Sequence, residues 1–175
     1  MEQPRKSVVL LGSGAGGNVA FSALLRLRSQ GTYMPAATVL ISPVLDLSNA
    51  FESVEKNRDK DFVQNPEGIE FMARMALGGE DEEGVELASP AFHDHIALAP
   101  VAYVWDKNEI TSDAVAYSWD AARKIGVRNM HVQREGLFHQ YALYFDLLPE
   151  AAMDMQKVKD FSLNLLQSHE ENNEK

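Results

Sequence analysis

The sequence predicts an α/β fold with a parallel sheet. Three observations carry that expectation. Short β-branched apolar runs recur at Lys6–Leu11, Ala36–Ser42 and Val101–Trp105, and Arg128–Gln133 reads as a fourth strand. Helical patterns alternate with them, and a glycine cluster, Gly12-Ser13-Gly14-Ala15-Gly16-Gly17, joins the first run directly to a helix. Strands alternating with helices imply right-handed crossovers and a sheet with both faces covered.

Each element has its own signal. Lys6–Leu11 is apolar on both faces, as a buried parallel strand is. Phe21, Leu24, Leu25 and Leu27 give the following helix a core-facing side, and Gly31 stops it. Pro43 ends the second strand, after which a polar stretch through Gln64, without clear period, reads as a surface excursion containing Asp46. Pro66 opens a helix with Ile69, Phe71, Met72, Met75 and Leu77 on its apolar face, closed by Gly78-Gly79. The acidic run Glu80–Glu83 reads as a solvated loop, since hard cations need ligands spaced around a turn. Ser112 caps a helix that stops at Gly126, and a last helix is expected from about Pro149 to Leu166. One unit, 1–167, and an acidic disordered tail, 168–175, make up the expected organisation.

Composition limits the function classes. The chain has 175 residues, 45% of them hydrophobic, enough for one domain with its own core. Sixteen Lys and Arg against 26 Asp and Glu leave a net charge of −10, which disfavours nucleic acid and anionic membranes as partners. Without cysteine there is no disulfide framework or thiolate metal site. No run approaches a membrane span and no leader pattern opens the chain, so a cytoplasmic location is the default expectation. No cofactor and no metal site are expected.

The glycine turn fits two kinds of chemistry. Gly12, Gly14 and Gly17 match the dinucleotide pattern G-x-G-x-x-G, in which an acid about 20 residues on holds the ribose. Here the next strand ends at Ile41-Ser42-Pro43 and the nearest acid, Asp46, lies beyond that place. The turn also matches the nucleophile elbow G-x-S-x-G everywhere except its serine.

Residues far from the turn favour the elbow. Gly12–Asn18 resembles the GDSAGGN elbow of the hormone-sensitive-lipase-like esterases, a branch of the α/β-hydrolases, and Leu40–Leu47 resembles their LISPWLDL segment. Asn57–Asp61 with Phe71–Gly79, then Ala88-Ser89-Pro90, Leu98-Ala99-Pro100, Glu135–His139 and Leu148–Ala151 follow in that family's order. The resemblance implies the C-terminal half of an α/β-hydrolase, with about four mainly parallel strands and activity on small carboxylic esters. It implies a site with Gly14 at the nucleophile position, Glu109 as orienting acid with Asp106 as runner-up, His139 as base, and the backbone N–H of Ala15 as oxyanion donor. Asp113 is expected to stabilise its helix, and His93, His95 and His131 to lie on the surface or in packing.

Two departures follow from that resemblance. Gly14 has no hydroxyl and Ser13 stands at the neighbouring position, so catalysis by the usual route is expected to be impaired; a non-hydrolytic protein holding a small ester or carbonyl ligand is the alternative. The family half that carries the oxyanion loop has no counterpart in these residues. Lys6–Leu11 is then expected to present a bare apolar edge, covered by a second polypeptide or a second copy.

Overall fold

A computed structural model describes residues 8–79 and 82–173. Four strands form one sheet in the order β1 (Val9–Ser13), β2 (Ala37–Ile41), β3 (Val101–Asp106) and β4 (Asn129–Arg134), and every neighbouring pair is parallel. The registers Leu11 to Val39, Leu40 to Tyr103 and Val104 to Val132 set the strand ends level with one another. The first strand begins later than expected and takes in Gly12 and Ser13, which pair with Leu40 and Ile41. Lys6 and Ser7 lie outside the described residues.

The near-continuous apolar strands are explained by the layers. Along β2 and β3, Leu40, Val101, Tyr103 and Trp105 face α1 (Ala15–Ser29) and α5 (Ser112–Lys124), packing with Phe21, Leu24, Val115 and Ala122. Val39, Ile41, Ala102 and Val104 point the other way, among Tyr141, Ala151 and Val158, the last two on α6 (Pro149–Asn173). A sheet covered on both sides has no polar face, so the period-2 alternation is one of direction and not of polarity. α6 runs past Leu166 to Asn173, into the segment expected as a disordered tail; neither Gly nor Pro stands there to stop it.

The segment between β2 and β3 differs most from expectation. It holds α2 (Ser53–Lys56), α3 (Pro66–Leu77), α4 (Glu82–Leu87) and a single 3₁₀ turn at Pro90–Phe92. Asn65 caps α3 by accepting from Gly68 N at 2.7 Å, and Gly78, with φ 71°, ends it. Of the acidic run read as a loop, Glu82 and Glu83 belong to the first turn of α4, while Glu80 and Asp81 lie outside the described residues. The polar stretch before α3 runs along the surface, with Glu52, Glu55, Lys56, Arg58, Asp59 and Lys60 exposed, but it is anchored from within. Asn57 and Asp61 are buried, and their polarity serves backbone groups of the β3–α5 loop. Val44, Leu47, Ile69, Ala73 and Ile110 form a third core beneath it.

Among the described residues, no helix is long and apolar enough to cross a membrane. Among the described residues β1 pairs only with β2, and on its other side Val8 and Leu11 are 63% and 53% exposed.

Candidate active site

The carboxyl ends of all four strands contribute to one place, the usual location of a site on a parallel sheet. Gly14 follows β1, Ser42 follows β2, Glu109 lies just past β3 and His139 past β4.

The turn at Gly14 is held by backbone. Gly14 N donates to Ile41 O at 3.1 Å, and Gly14 O accepts from Gly17 N at 3.0 Å and Val44 N at 3.1 Å. With φ 56° and ψ −125°, Gly14 occupies a conformation that a side chain would strain. Gly12 and Gly17 serve packing. A Cβ on Gly12 would collide with the Gly16 carbonyl and lie 2.7 Å from Ala20 Cβ, and one on Gly17 would lie 2.5 Å from Pro43 Cβ. The helix thus rests directly on the strand and on the Pro43 loop. Asn18 ties the same helix down, donating to Val44 O and Ala88 O, both at 2.9 Å.

Glu109 and His139 form a buried pair. His139 Nδ1 stands 3.0 Å from Glu109 Oε2, and both side chains are almost fully enclosed. Burial pushes the Glu109 carboxyl above the usual carboxylate range, opposed by hydrogen bonds from His139, Asp106 N and Ser42. Its Oε1 accepts from Asp106 N at 2.7 Å and Ser42 Oγ at 2.8 Å, and Oε2 also accepts from Thr111 Oγ1 at 3.3 Å. Every lone pair facing the protein has a donor, which a buried carboxylate requires. With Glu109 accepting from Nδ1, His139 is the tautomer that leaves Nε2 as an acceptor. That nitrogen lies 3.6 Å from where a Cβ on Gly14 would be.

Of the acids considered, the structure places Glu109 against the imidazole and gives the others different work. Asp106 accepts from Asn108 N and Leu137 N, both at 2.9 Å, and so ties the β3 end to the loop that carries His139. Asp113 accepts from Ser53 N at 3.0 Å. Asp46 closes its own loop by accepting from Ser48 N at 2.7 Å and Ala50 N at 2.8 Å. Ala15 opens α1, where backbone N–H groups have no intrahelical acceptor. His95 is buried edge-on to Phe21, and His131 lies on Trp119 with ring centroids 4.1 Å apart. His93 Nε2 stands 2.8 Å from Leu87 O. Among the described residues, no group of three or more His, Asp or Glu side chains is arranged to hold a metal ion.

A family model described as α/β-hydrolase fold matches residues 2–143. The chain belongs to the α/β-hydrolase family. Within it the chain falls with the hormone-sensitive-lipase-like esterases. An esterase of Acinetobacter venetianus is 26% identical over 160 residues, which are 91% of this chain and 53% of that protein. An acetyl-hydrolase of Streptomyces hygroscopicus is 33% identical over 147 residues, 84% of this chain and 49% of that one. A crystal structure of an esterase from the bacterial hormone-sensitive lipase family superposes with a TM-score of 0.85 at 27% identity, covering 94% of this chain and 55% of that chain. This α/β-hydrolase chain thus spans about half the length of the relatives it matches.

Sequence reasoning missed four members of the site. Ser42 is fully buried with φ 43°, and its hydroxyl bridges Glu109 Oε1 and Gln140 N, the latter at 2.9 Å. A strained, buried residue that joins the acid to the histidine loop is the kind of outlier that marks a functional site. Asn57 Nδ2 donates to Lys107 O at 2.7 Å and Glu109 O at 2.9 Å, bracing the acid loop from behind. Gln64 Nε2 lies 2.7 Å from His139 Nε2. Gln140 Nε2 lies 2.5 Å from the Cβ position of Gly14. Ser42 and Asn57 sit inside recognised segments and Gln140 beside a recognised histidine, but Gln64 carried no site signal in the chain.

Proposed function

We propose that this chain carries the elbow, acid and base of a carboxylesterase-type site for small carboxylic esters, with covalent hydrolysis impaired because residue 14 is glycine. The observation that carries the reading is the Glu109–His139 pair, whose second imidazole nitrogen, Nε2, stands 3.6 Å from the Gly14 Cβ position. In a serine hydrolase the nucleophile's oxygen attacks the ester carbonyl while the base takes its proton, and the acid keeps the imidazole in the right tautomer. Here acid and base stand in those relations and the attacking oxygen has no atom to come from. Loss of a serine nucleophile costs on the order of 10⁶-fold in rate in such enzymes. The esterase and acetyl-hydrolase names of the relatives support the ester class.

The test is hydrolysis of p-nitrophenyl acetate and butyrate by the chain and by H139A. Turnover near the H139A level is expected; strong turnover that survives H139A contradicts the proposal.

The exposed β1 edge supports a second part of the same reading, that another polypeptide or a second copy lies along it. An open edge of unpaired backbone beside exposed Val8 and Leu11 is a template for strand addition. Light scattering on the purified chain is expected to show a complex; a monodisperse monomer across the micromolar range refutes it.

The non-hydrolytic reading is favoured by the Gln140 amide at the Gly14 Cβ position and the Gln64 amide on His139 Nε2, donors that a carbonyl ligand could meet. Under it, small esters and lactones raise the melting temperature without being consumed.

A further inference from the structure

Two glutamines occupy the neighbourhood a serine hydroxyl would need. Such a hydroxyl does two things: it fills the space above the elbow Cα, and it donates a hydrogen bond to the base. In this chain each of those places is taken by a different carboxamide. Gln140 Nε2 lies 2.5 Å from the Gly14 Cβ position. Gln64 Nε2 donates to His139 Nε2 at 2.7 Å.

Neither contact is a loose surface encounter. Asp61 fixes the loop that carries Gln64: its Oδ1 accepts from Val63 N at 3.1 Å and Gln64 N at 2.9 Å, while its Oδ2 accepts from Ile110 N at 3.0 Å, next to the acid. The Gln64 Oε1 is buried without a hydrogen-bond partner, so the orientation of the carboxamide rests on its bond to His139. Gln140 is held in the left-handed region, φ 64°, with its N–H on Ser42 Oγ at 2.9 Å. Its backbone therefore aims the side chain at Gly14 from a fixed start.

We propose that Gln64 and Gln140 form an amide clamp that closes the Glu109–His139 pair over Gly14 and withholds the imidazole lone pair from water or any hydroxyl. The clamp rests on the reading of His139 as the base of this elbow. A nitrogen already accepting a hydrogen bond must give it up before it takes a proton. Glycine at 14 and glutamine at 140 are accordingly one steric unit. A serine restored at 14 meets the Gln140 amide where its hydroxyl would go, and it finds the acceptor on His139 occupied by Gln64. Gly14→Ser alone is then insufficient to restore hydrolysis.

Diethyl pyrocarbonate, which acylates an unprotonated imidazole nitrogen, reads the clamp without catalysis. The rate of ethoxycarbonylation at His139, followed by mass spectrometry on the whole folded chain, is expected to rise roughly 5-fold or more in both Q64A and Q140G, as the loss of one neutral hydrogen bond or its cover implies. Both variants should melt near the unaltered chain, which excludes unfolding as the cause. An unchanged His139 rate in both folded variants overturns the clamp.

A second series reads the consequence: in G14S/Q64A/Q140G, hydrolysis of p-nitrophenyl acetate should exceed that of G14S by on the order of 10²-fold, what release of a general base supplies. Equal rates in an active G14S and the triple variant also overturn it. If the His139 rate rises but the triple variant stays at the H139A level, the clamp stands and the esterase reading fails.

Discussion

Asn57→Ala should destabilise the chain out of proportion to the few atoms removed. Asn57 is 3% exposed, and its amide donates to Lys107 O at 2.7 Å and Glu109 O at 2.9 Å, carbonyls of the loop that presents the acid. Alanine leaves the buried Glu109 carbonyl without that donor and the part-buried Lys107 carbonyl to solvent. An unsatisfied buried acceptor costs about 1–3 kcal/mol, so that loss with the smaller one at Lys107 amounts to about 3 kcal/mol. For a chain of this length that corresponds to a fall in Tm of about 6–12 °C. Differential scanning calorimetry measures it directly. The variant should also speed modification of His139 by diethyl pyrocarbonate, because a looser acid loop frees its partner. A Tm within about 2 °C of the unaltered chain, under the same conversion, refutes the bracing role assigned to this polar segment.

Other expectations follow from single features. Gly12→Ala drives a methyl into the Gly16 carbonyl and Ala20, backbone that cannot step aside, and should cost about 3 kcal/mol in urea unfolding; Gly16→Ala, with open space around it inside α1, should gain about 0.5–1 kcal/mol. Asp154 accepts from Arg134 Nε at 2.7 Å, Tyr141 Oη at 2.9 Å and Lys157 Nζ at 3.1 Å. Burial alone would raise its pKa, but these donors outweigh it and hold the carboxyl below the usual range. Its contribution is therefore present above the ordinary carboxylate pKa of about 4 and lost as pH falls below it, so the Tm gap between the unaltered chain and D154N should shrink on acidification. Burial holds the His95 imidazole below its ordinary value, so the folded state favours the neutral ring. Stability it contributes is present above pH of about 6.5 and falls as pH drops through the lower folded value; H95L should lose less stability than the unaltered chain between about pH 6.5 and 5.

How much of this was legible in the chain depended on the distance over which a pattern can speak. The strands and α1 were legible because apolar runs and glycines act locally, and the pairing of Glu109 with His139 because both stand in a recognised order of landmarks. The boundary of β1 was misplaced, since Gly12 and Ser13 read as turn residues yet pair with Leu40 and Ile41. Asn57 and Asp61 read as surface residues for a related reason: polar side chains that satisfy buried backbone follow no hydrophobic period. Gln64 was invisible as a site residue because its partner, His139, is 75 residues away and no motif links them. Ser42 needed its φ of 43° to stand out, a property of backbone that residue type does not announce.

The central claim is that acid and base converge on an elbow without a nucleophile, and covalent trapping tests it most directly. Expose the chain to a fluorophosphonate, then map any adduct by mass spectrometry. The account predicts no His139-dependent adduct at residues 13–15, and one on residue 14 once G14S is combined with Q64A and Q140G. A stoichiometric adduct on Ser13 of the unaltered chain, abolished by H139A, would contradict it, for the attacking oxygen would then have been beside Gly14 all along.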